Sequence, residues 1–91
     1  MIIETLLTNT AVALPVPANK TKVVIYCDSG FGGAHVDPEI RVGYVPTNGG
    51  FTSVHVKPTW EAPAVVDLKG SKKVTLGRID KGTAAFTVDF S

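Results

Sequence analysis

The stretch Thr83-Ala84-Ala85-Phe86-Thr87-Val88-Asp89-Phe90 alternates without a break: Ala84, Phe86, Val88 and Phe90 on one side, Thr83, Ala85, Thr87 and Asp89 on the other. Successive side chains of an extended chain point to opposite faces, so the stretch has one apolar and one mostly polar face. That is the pattern of a half-buried antiparallel strand. Reading backward, Lys73 to Ile79 points Val74 and Leu76 inward, and a bulge at Gly77 is expected to shift the parity so that Ile79 also turns in. Asp80-Lys81-Gly82 and Lys69 to Lys72 are short turn-forming connections, and Ala64 to Leu68 is the strand before them. The segment from Ala64 to Phe90 therefore reads as a three-stranded meander.

The same beat runs through the rest of the chain. Ile40, Val42 and Tyr44 alternate before Pro46-Thr47-Asn48-Gly49-Gly50, whose Asn-Gly pair accepts the positive φ of a tight turn. The chain returns with Thr52, Val54 and Val56 on one face and Ser53, His55 and Lys57 facing solvent. Prolines 58 and 63 make the segment around Trp60 an extended corner. Val12, Leu14 and Val16 alternate before Pro17-Ala18-Asn19-Lys20 turns the chain into Thr21 to Cys27, which reads as another hairpin. Ile2 to Leu7 fits a helical face as well as a strand. Its threonines, the lack of a helix cap and the β context favour a first strand or an extended arm over residues 1–8.

The whole chain, residues 1–91, thus reads as one all-β domain, an antiparallel sandwich of jelly-roll or immunoglobulin-like type with about seven to eight short strands. At this length folding removes only roughly 60 to 68% of the unfolded chain's surface from water, so the core is expected to be thin. Cys27 is the only cysteine, which rules out an internal disulfide, and its parity with Val23 and Ile25 points it inward. Nine basic and eight acidic residues leave a formal charge of +1, too little to draw in a phosphate backbone, so nucleic acid is not an expected partner. Lys69, Lys72 and Lys73 read as solvated turn residues. No apolar run approaches the roughly 20 residues of a membrane span, and residues 1–14 lack the basic start of a signal peptide, so a soluble location without membrane contact is expected.

Asp28-Ser29-Gly30-Phe31-Gly32-Gly33-Ala34-His35-Val36-Asp37 is the longest loop and gathers the most reactive residue types. Its glycines lack the Lys and Ser/Thr of a phosphate-binding loop and the helix that should follow. Ser29, His35 and Asp37 name the residue types of a hydrolase triad, but closeness in sequence supplies neither a rigid pocket nor an oxyanion hole. His35, His55, Asp28 and Asp37 lack close metal-ligand spacing. No enzyme activity, cofactor or metal is expected. Exposed apolar groups are the better lead. Phe31 at a glycine-rich tip and Trp60 between prolines read either as corner plugs or as anchors for a partner. Ile2, Ile3, Leu6 and Leu7 can likewise complete their own sheet or pair with a neighbour's.

The chain reads as strands almost from end to end, with no stretch expected to serve as an active site. Val16-Pro17-Ala18-Asn19-Lys20-Thr21-Lys22-Val23-Val24-Ile25 and Ile79-Asp80-Lys81-Gly82-Thr83-Ala84-Ala85-Phe86-Thr87-Val88 are similar to hairpins in head-decoration and tail β-sandwich domains of tailed bacteriophages. The chain as a whole resembles their small virion accessory proteins. The resemblance implies a non-enzymatic decoration or cement protein on the capsid surface. It would bind the major capsid or another virion protein, commonly as a trimer or other small homo-oligomer, and no site residue carries over by motif. Ile2, Ile3, Leu6, Leu7, Phe31 and Trp60 are then the expected contacts. The alternative is a carbohydrate- or receptor-binding module in which Trp60, Phe31 and Tyr44 line a shallow site.

Overall fold

Residues 84 to 90 form the strand their alternation predicts, and it lies inside a sheet with neighbours on both sides. The computed structural model describes residues 2–28, 39–79 and 82–91. Among these are eight strands: β1 (Ile2–Leu7), β2 (Val12–Pro15), β3 (Lys22–Cys27), β4 (Ile40–Tyr44), β5 (Thr52–Val56), β6 (Ala64–Asp67), β7 (Lys73–Arg78) and β8 (Ala84–Phe90). They make two four-stranded antiparallel sheets, ordered β1-β8-β3-β6 and β2-β7-β4-β5. First pairs with last, second with seventh, third with sixth and fourth with fifth. This nesting is a long hairpin rolled into a sandwich, the jelly roll.

Each sheet turns its apolar face inward. Phe86, Val88 and Phe90 of β8 meet Val23 and Ile25 of β3 on one side of the core, with Ile40 and Val42 of β4 and Val74 and Leu76 of β7 on the other. All are almost fully buried, and each such side chain contributes about 1.5–3 kcal/mol relative to exposure. Cys27 is buried among them, as its parity predicts.

Several expected connections are different. Among the described strands only β4 and β5 form a sequential hairpin. The segments read as a hairpin at residues 12–27 and as a meander at 64–90 cross between sheets instead, since β2 and β7 lie in one sheet and β3, β6 and β8 in the other. Turn chemistry marks where a chain reverses, and Asn19, Lys69 and Gly70 do take positive φ there. It does not say which sheet the returning strand joins. The Pro46–Gly49 turn closes through Gly49 N–H donating to the Pro46 carbonyl at 3.2 Å, and neither Asn48 nor Gly49 takes positive φ.

The expected bulge at Gly77 is absent. β7 pairs in unbroken register with β4, from Ile40 opposite Arg78 to Tyr44 opposite Val74, and Ile79 remains partly exposed. Gly77 instead permits a close approach: a Cβ there would lie 3.3 Å from the Cα of Ala11, tighter than ordinary van der Waals contact.

Candidate functional site

β1 is an edge strand, and it treats its two faces differently. Leu7 is fully buried and Ile3 packs against the core, whereas Ile2 and Leu6 are each 65% exposed. Of the residues expected to contact a partner, Ile3 and Leu7 are therefore sheet-completing core groups, and Ile2 and Leu6 face outward. Glu4 lies between them on the same outer face.

The backbone of β1 is also polarised. Asp28 N–H donates to the Ala85 carbonyl at 2.8 Å, and Ser91 and Lys22 exchange N–H to carbonyl bonds at 2.9 and 3.0 Å. Odd-numbered residues of β8 thus aim their peptide groups at β3, and antiparallel alternation aims the even-numbered ones at β1. Their partners are Ile3, Thr5 and Leu7. The peptide groups of Ile2, Glu4 and Leu6 consequently point out of the sheet edge, beside their own exposed side chains.

The other three edges are protected. β2 has four residues and ends at Pro15, and Val16 N–H already donates to the Lys72 carbonyl, so the missing N–H of Pro15 falls on the outer side. β5 carries His55 outward and stops before Lys57 and Pro58. β6 has four residues and follows Pro63. Natural edges are blunted by such prolines, charges and short lengths, and β1 has six residues, no proline and a single charge, Glu4.

Trp60 is 63% exposed at the tip of the corner before β6, while Pro58 is the fully buried residue there. The corner is pinned by Thr59 N–H donating to the Ala62 carbonyl and Ala62 N–H donating to Thr59 Oγ1 at 2.8 Å. Pro58 is thus the plug, and Trp60 projects. β6 and β1 are opposite edges of one sheet, three strand spacings or roughly 14 Å apart, so Trp60 does not share a patch with Ile2 and Leu6. Tyr44 is buried at the end of the sandwich away from Trp60, so these two aromatics do not line one site. Phe31, Ser29, His35 and Asp37 lie outside the described residues.

A second surface feature was not anticipated. On the outer face of the β2-β7-β4-β5 sheet, Phe51 is 67% exposed and its ring lies over Gly43, where a Cβ would come within 2.8 Å of the ring. Gly43 floors a groove of about 610 Å³ walled by Phe51, Tyr44, Thr47, Ser71 and Lys73. The signal for Phe51 was available, because it shares parity with the solvent-facing Ser53 and His55.

The remaining polar candidates are dispersed. Asp28 accepts a hydrogen bond from Thr87 Oγ1 on one sheet, whereas His55 Nε2 accepts one from Arg41 Nε at 3.4 Å on the other. Among the described residues no three His, Cys, Asp or Glu side chains are grouped to hold a metal ion, and no helix is long and apolar enough to cross a membrane. Comparison with protein families, with curated proteins and with solved structures finds nothing that matches this chain.

Proposed function

We propose that the protein is a non-enzymatic virion protein that binds and stabilises an assembled phage capsid, as a decoration or cement protein. The observation that supports this reading most directly is the bare edge of β1, where Ile2 and Leu6 are exposed beside outward-pointing peptide groups. A jelly roll is shared by capsid and lectin domains, so the fold alone selects neither. The partner in this reading is the major capsid protein or another virion protein, with copies of the chain acting as a small homo-oligomer, a trimer in the first instance. Many modest contacts on a symmetric shell add through multivalency, and binding only the assembled state stabilises it by mass action.

The test is co-sedimentation with purified shells, with light scattering for the mass of the free protein. The native chain is expected to pellet with shells. Ile2→Thr combined with Leu6→Thr should remain in the supernatant while its melting temperature changes little, since both side chains are exposed and no new charge is set opposite Asp89. Pelleting of that variant at the native level removes β1 from the contact, and a native chain that ignores every shell removes the capsid.

The groove beside Phe51 favours a second reading, a carbohydrate- or receptor-binding module. Its volume is within the range of roughly 300–1,000 Å³ typical of ligand sites, and an aromatic wall beside Thr47, Ser71 and Lys73 suits a polar ring. Saccharide titration with a Phe51→Ala control separates the readings: binding lost in the variant supports the module, and silence across glycans rejects it.

A further inference from the structure

Ile2, Glu4 and Leu6 combine two properties: their side chains line the outer face of the sheet, and their peptide groups point out of its edge. An added antiparallel strand would form its hydrogen-bonded pairs with these three residues, so the side chains it meets would be apolar, acidic and apolar. Nearby, Asp89 lies opposite Ile2, and Asp28 extends the row containing Leu6 and Ala85. The edge is bordered by acid.

A second copy of this chain is a poor occupant. Pairing β1 with its two-fold mate so that all three residues are used sets Ile2 opposite Leu6 and Glu4 directly opposite Glu4. Like charges facing across a ladder oppose pairing. Sliding the register by two residues relieves the clash but shortens the ladder from three hydrogen-bonded pairs to two.

We propose that β1 is a docking edge for an extended segment of a partner protein with the pattern apolar-x-basic-x-apolar, and that Glu4 both selects the basic residue and blocks self-pairing. This deepens the partner-binding reading and rests on its assignment of β1 as the contact.

The test uses synthetic peptides, without shells. A Val-Thr-Lys-Thr-Val segment with polar flanks should bind the full chain about fivefold more tightly than its Val-Thr-Glu-Thr-Val counterpart, and Glu4→Lys should reverse the preference. Glu4→Pro removes an edge-facing N–H together with the carboxylate and no hydrogen bond to β8, so it should retain the strand spectrum by circular dichroism while losing both peptides, whereas Glu4→Thr, which lacks only the carboxylate, should bind both alike. Glu4→Thr should relieve self-repulsion and double the weight-average mass at high concentration, whereas the native chain should show no β1-mediated dimer. Equal affinity of the native chain for the two peptides, or undiminished binding to a folded Glu4→Pro chain, overturns the proposal. So does the absence of peptide binding together with no added association in Glu4→Thr. Failure to pellet with shells leaves these outcomes unaffected, so a wrong capsid assignment is distinguishable from a wrong docking mode.

Discussion

At the scale of single residues, Ser71 shows how a side chain with no sequence signature can hold two connections together. It is buried; its Oγ donates to the Lys73 carbonyl at 2.6 Å and accepts Val45 N–H at 3.1 Å. The turn after β6 is thereby tied to the end of β4. Thr47 adds a second tie, its N–H donating to the Lys69 carbonyl at 3.0 Å. In the sequence Ser71 is one more polar residue in a lysine-rich turn, because only the packed fold reveals what its hydroxyl meets. Ser71→Ala strands the Val45 N–H and is expected to cost about 1–3 kcal/mol, read as a lower urea midpoint at unchanged slope. Phe86→Ala sets the comparison: a fully buried ring is lost, and a cost of about 3–5 kcal/mol should leave little of a small domain's stability.

At the scale of elements, the strands were legible and their partners were not. Alternation locates β8, β4, β5 and β3 because burial of one face imposes period two on the sequence, and the core residues follow from the same parity. Sheet membership depends on which distant strand completes each face, and pairs such as β1 with β8 lie too far apart in sequence for a local pattern to register them. That is why a sandwich could be read while its crossovers were mistaken for hairpins. The partner-binding residues divide for a related reason. Ile2, Ile3, Leu6 and Leu7 are equally apolar, and only the pairing of β1 with β8 separates the outward pair from the inward pair. Edge protection leads to a prediction at this scale. Pro15 ends β2 with its missing donor on the free side, so Pro15→Thr should leave the fold intact but add an edge donor. Faster growth of scattered light at 37 °C than for the native chain is the expected result, and equal growth would deny Pro15 this role.

For the molecule as a whole, a formal charge of +1 conceals a strong separation of sign. The outer face of the β1-β8-β3-β6 sheet carries Glu4, Asp28, Asp67 and Asp89 against Lys22, by strand parity and register. The outer face of the opposite sheet carries Arg41, Lys57 and Lys73 against Glu39, which parity and register set opposite Lys57. The thinnest dimension of the molecule is 17 Å. At about 50 mM salt the screening length is roughly 14 Å, so a charged surface senses mainly the nearer face. The protein is therefore expected to be retained on both a cation and an anion exchanger at pH 7 and about 50 mM salt, and to leave both by about 0.3 M. Glu4→Gln combined with Arg41→Gln removes one acid and one base and keeps the formal charge at +1. Earlier elution of this variant from both columns would trace retention to the separated faces. Unchanged elution would mean that net charge alone governs it, and that the sandwich has no electrostatic front and back with which to orient on a partner.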